Sequence, residues 1–194
     1  MQPVRPREKL LNLPNVLTLV RIGSIPILLV LLYMEGPSWA AVAAVVFFLA
    51  GITDLLDGWL ARRLKQVSLF GQYLDPVADK LLVASVLLVL VDKQLAPAWM
   101  AVIIICREIA VSGMRAVAAS RGFQVPSDLW GKAKTALQML ALLLLILHYP
   151  RAGLDIRFWG QLALWAAVVI TIISGVGYFK RFLHRLEKSQ EPGA

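Results

Sequence analysis

Phe158-Trp-Gly-Gln-Leu-Ala-Leu-Trp-Ala-Ala-Val-Val-Ile-Thr-Ile-Ile-Ser-Gly-Val-Gly-Tyr-Phe179 contains no charged side chain from end to end. A helix needs about 20 mostly apolar residues to cross a bilayer, with a working range of about 17–25. This stretch meets that length, and it sets the pattern by which the rest of the chain reads. Five further apolar blocks lie upstream, so the predicted spans are 16–34, 38–58, 75–92, 96–119, 130–150 and 156–179. The bulk composition agrees: the 194 residues are 59% hydrophobic and 16% charged, with mean hydropathy +0.71. Soluble domains run about 45–50% apolar and about 25% charged. Most soluble folds, disorder and a disulfide scaffold are therefore excluded, the last because Cys106 is the single cysteine.

The distribution of basic residues orients the predicted spans. Of the 20 Lys and Arg residues, all but Lys93, Arg151 and Arg157 fall on the N-terminal arm, at Arg21 near the inner end of the first span, around 54–80 and 107–134, or from 180 onward. With six spans these segments share one side, and the positive-inside rule makes that side cytoplasmic, with both termini in. The net charge of +8 thus faces the membrane's inner leaflet, and nucleic acid is not an expected partner. The first span has a basic flank like a signal peptide, but it is long and five spans follow, so cleavage is not expected. Residues 1–15 read as an interfacial arm, 16–180 as one six-helix domain, and 181–194 as a basic tail. Spans two, three and four are each cut short by charge at the cytoplasmic side: Asp54; Asp75, Asp79 and Lys80; Arg107 and Glu108. Intramembrane charge is costly and usually functional. An all-α integral membrane protein with a polar cavity open to the cytoplasm is the expected fold.

The acidic residues in that region have a defined spacing. Asp54 and Asp57 are three apart and share a helix face, as do Asp75 and Asp79, four apart. Pro76 is expected in the first turn of its helix, where its missing donor costs little. Four carboxylates at one depth repel one another unless cations sit among them, and hard divalent ions that also bridge phosphates are suited to this. Gly58, Ala61 and Gly71 leave room for a bulky ligand near the backbone, and Arg62 offers a bidentate grip on phosphate. One such aspartate alone would read as a helix cap at the surface. Four, interleaved with glycines and an arginine, do not.

The pattern Asp54-x2-Asp57-Gly58-x2-Ala61-Arg62-x8-Gly71-x3-Asp75-x3-Asp79 resembles the signature of the CDP-alcohol phosphatidyltransferases at every fixed position. That resemblance implies a six-helix membrane enzyme that displaces CMP from a CDP-linked lipid using Mg2+ or Mn2+, two ions per site. It implies Asp54, Asp57, Asp75 and Asp79 as metal ligands and Asp79 also as the base. It further implies that CDP-diacylglycerol is held by Gly58, Ala61, Arg62 and Gly71, together with Asn15, Thr18 and Arg21, a polar stripe at spacings of three on the first helix. A homodimer in the bacterial cytoplasmic membrane, with its active site toward the cytoplasm, is the corresponding expectation.

Further stretches, Asn12 to Arg21, Arg107-Glu108-Ile-Ala-Val-Ser112-Gly-Met-Arg115 and Gly131-Lys132-Ala-Lys134-Thr135, are similar to the bacterial members that take sn-glycerol 3-phosphate as acceptor. The residues favour a phosphorylated acceptor independently. Arg107 and Arg115 lie two turns apart on the fourth helix, with Lys132 and Lys134 at the start of the fifth, a basic set suited to a doubly charged phosphate. The competing account of these charges is topology alone, and it weighs most for Lys134 and Arg121 and least for Arg107, deep in an apolar helix. Glu108 is expected to pair with a neighbouring base. Other acceptors within the family, phosphatidylglycerol (giving cardiolipin), inositol phosphate or serine, remain open. A small cation transporter is disfavoured, because its carboxylates would lie at mid-membrane. His148 and His184 lack ligand spacing, and the six tryptophans, including Trp39, Trp99 and Trp159, fit interfacial belts. Gly175 and Gly177 would permit close helix packing.

Overall fold

A computed structural model describes residues 13–64, 69–123, 125–126, 129–150 and 153–188. All regular structure among them is helical, in six helices: α1 (Leu13–Tyr33), α2 (Pro37–Leu64), α3 (Leu69–Asp92), α4 (Ala98–Ser120), α5 (Leu129–Ile146) and α6 (Ile156–Lys188). The six predicted apolar blocks each correspond to one helix. Among the described residues, two helices are long and apolar enough to cross a membrane on length and composition, over Asn15–Tyr33 and Ile156–Glu187, and a shorter apolar segment spans Pro37–Thr53. Their exposed faces are apolar too: Leu19, Val20, Ile27 and Val30 on α1 and Leu162, Trp165, Val169 and Ile173 on α6. Helices that are apolar outside as well as inside suit a lipid surrounding rather than water.

Several boundaries differ from the sequence expectation. α3 begins at Leu69, so Pro76 lies inside the helix and not in its first turn. The proline has no amide hydrogen to give to the carbonyl of residue 72, while its own carbonyl accepts from Lys80 Nζ at 2.7 Å. α2 continues to Leu64, through a run of the good helix formers Leu60, Ala61, Arg62, Arg63 and Leu64. α5 ends at Ile146, four residues early, just before His148, Tyr149 and Pro150, since a residue preceding proline disfavours the helical region. α6 runs through Lys188, so the segment expected as a tail from 181 starts as helix. Tyr178, Phe182 and Leu186 recur at helical spacing there and pack on Val111 and Ala118 of α4.

The helices form two compact units, residues 1–89 and 90–194. In the first, α1 packs on α2, and Leu28, Leu32, Ala43, Ala44 and Phe47 of these helices are buried. Gly36, at φ +110°, makes the tight link between these helices, a conformation that side chains resist. α3 buries the stripe Ala78, Leu82, Val86 and Val89.

In the second unit, α4 and α5 both pack on α6. The carboxylate of Asp155 accepts from the Phe158 amide at 3.1 Å and caps the start of α6. At the other end of the unit, α4 closes with Gly122 at φ +77°, and the Phe123 amide turns back to the Ala118 carbonyl at 3.1 Å. A close helix approach is at Gly160, where a β-carbon would lie 2.9 Å from Leu145 Cδ2 and 3.1 Å from the Leu145 amide nitrogen. The glycines singled out in the sequence are approached by side chains instead: Gly175 by the Arg107 stem at 3.2 Å and Gly177 by Arg181 Nη1 at 3.5 Å. Trp39, Trp99 and Trp159 each stand near the start of their helices, half exposed, and Trp99 meets Trp165 edge to face at 5.0 Å.

Candidate active site

The first unit carries the carboxylates. α2 and α3 hold the backbones of Asp54, Asp57, Gly58, Ala61 and Arg62, and of Gly71, Asp75 and Asp79, in unbroken helix. The spacings of three and four therefore do place each pair of aspartates on one helix face. Apart from Asp79, which is half buried, the side chains of these residues lie outside the described residues. Among the described residues no group of three or more His, Cys, Asp or Glu is assembled. The donor set itself, oxygen-only and fourfold acidic on two helices, fits a hard divalent cation and fits soft or borderline metals poorly.

Beside these aspartates the expected polar stripe of α1 is buried. Asn15, Thr18 and Arg21 are 1%, 0% and 2% exposed. Arg21 Nε donates to the Ala50 carbonyl of α2 at 3.1 Å, and Thr53 Oγ1 donates to the same carbonyl at 2.8 Å. That carbonyl lies one turn before Asp54. The stripe thus fixes α1 on the stretch of α2 that leads into the acidic motif, and Arg21 brings a buried positive charge to it.

The second unit gathers most of the basic residues assigned to the acceptor. Arg107 Nη1 donates to Glu108 Oε1 at 3.1 Å, and Lys134 Nζ donates to the same oxygen. Glu108 thus pairs two cations from α4 and α5, as a neighbouring-base partner was expected to. Arg107 Nη2 reaches α6, donating to Ser174 Oγ at 3.0 Å. Lys134 is 4% exposed, and Glu108 is the partner that a buried ammonium requires. Arg115 sits over the Tyr178 ring, 5.7 Å from its centre, a cation–π distance. Lys132, in contrast, is exposed on the other side of α5, and the structure does not bring it into this cluster. Arg121 is exposed as well, at the C-cap of α4.

Four residues of this cluster were not singled out in the sequence: Gln138 on α5 and Thr171, Ser174 and Tyr178 on α6. The signal was present, because polar groups at 171, 174 and 178 repeat at helical spacing within an otherwise apolar helix. Taken alone, such a stripe reads equally well as ordinary helix packing.

The pattern of CDP-alcohol phosphatidyltransferases matches residues 11–173. The chain belongs to the CDP-alcohol phosphatidyltransferase family. Among curated members of this family, it is 42% identical over 190 residues to the CDP-diacylglycerol–glycerol-3-phosphate 3-phosphatidyltransferase of Bacillus subtilis, covering 92% of this chain and 98% of that one. It is 41% identical over 170 residues to the protein of the same name from Rickettsia bellii, covering 87% and 94%. A CMP-forming cardiolipin synthase of Oryza sativa is 44% identical over 159 residues, but only 48% of its length is matched. The phosphatidyltransferase match runs from α1 into the first half of α6, so it includes most of both units described above.

Proposed function

We propose that this phosphatidyltransferase moves the phosphatidyl group of CDP-diacylglycerol onto sn-glycerol 3-phosphate, giving phosphatidylglycerophosphate and CMP. The carrying observation is the complete eight-position motif between residues 54 and 79 in a chain similar along nearly its whole length to relatives bearing that name. Arg115, the half-buried Arg107 and the buried Lys134 support a phosphorylated acceptor, since three cations against the one carboxylate of Glu108 match a phosphate monoester better than the single charge of a phosphodiester. This favours glycerol phosphate over phosphatidylglycerol, the acceptor in the cardiolipin alternative.

In this reading the six helices all span the bacterial cytoplasmic membrane, with both termini and the active-site cavity on the cytoplasmic side. Residues 1–15 form an arm, 16–180 the catalytic domain and 181–194 a basic extension, and the enzyme works as a homodimer. Asp54, Asp57, Asp75 and Asp79 hold two ions, Mg2+ or Mn2+, which supply charge neutralisation on the diphosphate of the donor. Gly58, Ala61 and Gly71 let the donor approach the backbone. Arg62, with Asn15, Thr18 and Arg21, holds its nucleotide and phosphate end. Arg107, Arg115 and Lys134 bind the phosphate of glycerol 3-phosphate, while Lys132, on the exposed side of α5, draws it in by charge. Asp79 accepts the proton of the primary hydroxyl as that oxygen attacks the lipid-side phosphorus. The bond to CMP breaks in the same displacement, and CMP carries away the electron pair. No serine, cysteine or histidine of the motif is needed as a nucleophile, so no covalent enzyme intermediate forms.

The test is purified protein in detergent with CDP-diacylglycerol and a panel of acceptors: glycerol 3-phosphate, phosphatidylglycerol, inositol phosphate and serine. Rapid CMP release with glycerol 3-phosphate alone is the expected result. Faster release with any other acceptor refutes the assignment.

A further inference from the structure

Six hydroxyl side chains of the helices are satisfied within their own turn. Ser24, Thr53, Ser112, Ser120, Thr135 and Ser174 each donate to a carbonyl three or four residues back. This is the usual habit of serine and threonine inside apolar helices. Thr171 departs from it. Its Oγ1 is fully buried and has no hydrogen-bond partner among the described residues. Gln138 is 4% exposed, and its Oε1 is likewise buried without a partner. Arg107 Nε is a third such atom. A buried polar group without a partner costs free energy and calls for water or a ligand, and in a helix surrounded by lipid the demand is stricter.

Their helix positions place these residues within about one turn of one another in the second unit. α5 and α6 meet closely at Leu145 and Gly160. Counting equally along the two antiparallel helices from that contact brings Lys134 level with Thr171, with Gln138 one turn nearer the contact on the same buried stripe of α5. On α6, Thr171 lies one turn from Ser174, which holds Arg107. The Arg107–Glu108–Lys134 ion cluster is thus bordered, toward the apolar end of the unit, by a neutral amide and a hydroxyl with unused hydrogen-bonding capacity. Cations bind phosphate. Neutral donors and acceptors bind hydroxyl.

We propose that Gln138 and Thr171 form a hydroxyl-reading subsite of the acceptor pocket, which hydrogen-bonds the free secondary hydroxyl of glycerol 3-phosphate while Arg107 and Lys134 hold its phosphate; this rests on the acceptor reading given above. The two side chains are specificity-determining. An acceptor lacking that hydroxyl leaves the amide and the threonine unpaired in a dry site, and such sites discriminate strongly.

The experiment compares kcat/KM for glycerol 3-phosphate and for propane-1,3-diol monophosphate, which differs only in lacking the secondary hydroxyl. The wild-type enzyme should favour glycerol 3-phosphate by about tenfold or more. In Gln138→Leu and Thr171→Val the loss should fall on glycerol 3-phosphate, so that the ratio collapses severalfold toward one. Thr171→Ser, which restores a hydroxyl, should keep the wild-type ratio. A purely structural role would lower both substrates together and leave the ratio intact. Equal use of the two acceptors by the wild type overturns the proposal. So does an undiminished preference in Thr171→Val, the variant that keeps the side-chain shape and decides the matter should Gln138→Leu fail to fold. Failure of the underlying acceptor reading is distinct: the wild type would then release no CMP with glycerol 3-phosphate.

Discussion

Replacing Arg107 by methionine should separate the two substrates kinetically. The substitution keeps an unbranched stem against Gly175, which the Arg107 side chain approaches to 3.2 Å of where a β-carbon would be, and removes only the guanidinium. Its structural cost is contained by the neighbours. Glu108 keeps Lys134 as a partner, and Ser174 Oγ keeps its own donation to the Thr171 carbonyl at 3.1 Å. No buried charge is orphaned, so the 3–5 kcal/mol that follows from stranding one member of a buried pair does not arise. A loss nearer the ~0.5–1.5 kcal/mol of an ordinary hydrogen bond is expected, and the protein should remain folded. The catalytic consequence is larger. A charge-assisted contact to phosphate contributes about 1.5–3 kcal/mol, equivalent to roughly ten- to a hundredfold in binding. The apparent KM for glycerol 3-phosphate should rise by that factor. The KM for CDP-diacylglycerol should move by no more than about twofold, because the lipid donor is assigned to the carboxylate helices. The assay is CMP release in mixed micelles, varying one substrate at saturating levels of the other. An equal rise in both constants, or a rise confined to the lipid, would refute the placement of Arg107 in the acceptor pocket.

Three further outcomes follow from the same assignments. Chelation by EDTA should abolish CMP release and added Mg2+ or Mn2+ should restore it, since an all-carboxylate site selects hard cations; unchanged activity in chelator contradicts the metal reading. Asp79→Asn should still bind CDP-diacylglycerol with metal while turnover falls roughly 10²–10⁴-fold, the usual contribution of a general base. Asp54→Asn and Asp75→Asn should instead weaken metal-dependent donor binding in a fluorescence titration, and identical binding losses in all three would make Asp79 chiefly a ligand. Gly160→Ala should lower the thermal midpoint, because its β-carbon would meet Leu145 side chain and backbone at 2.9–3.1 Å, and overpacking costs about 1–3 kcal/mol against at most about 1 kcal/mol regained in helix propensity. In a Leu145→Ala background, which by itself costs about 2–5 kcal/mol, Gly160→Ala should cost less than it does in the wild type but not nothing, since the contact with the Leu145 amide persists; a Gly160→Ala midpoint equal to or above wild type would show that the helices separate there freely.

The helical character of the chain and the identity of its chemistry were carried by sequence alone. Apolar runs of bilayer length are a local property, and a motif of eight positions between residues 54 and 79 needs no long-range contact to be recognised. Helix ends were less legible, because they depend on what packs against them. α6 continues to Lys188 since Tyr178 and Phe182 find α4, and α3 starts before Pro76 although proline alone suggests a beginning there. The acceptor cluster was legible only in part. Arg107 stood out as a charge deep in an apolar helix and Lys134 read equally well as a topology charge, whereas Glu108 as their shared partner, and Gln138, Thr171, Ser174 and Tyr178 on the same helices, required three helices to be placed against one another. Lys132 shows the reverse: two residues from Lys134 in sequence, it faces away, because successive side chains on a helix turn through about 100° each. Charge and spacing along the chain determine which residues are candidates, but burial and partnership are properties of packed surfaces, and these exist only once α4, α5 and α6 have come together.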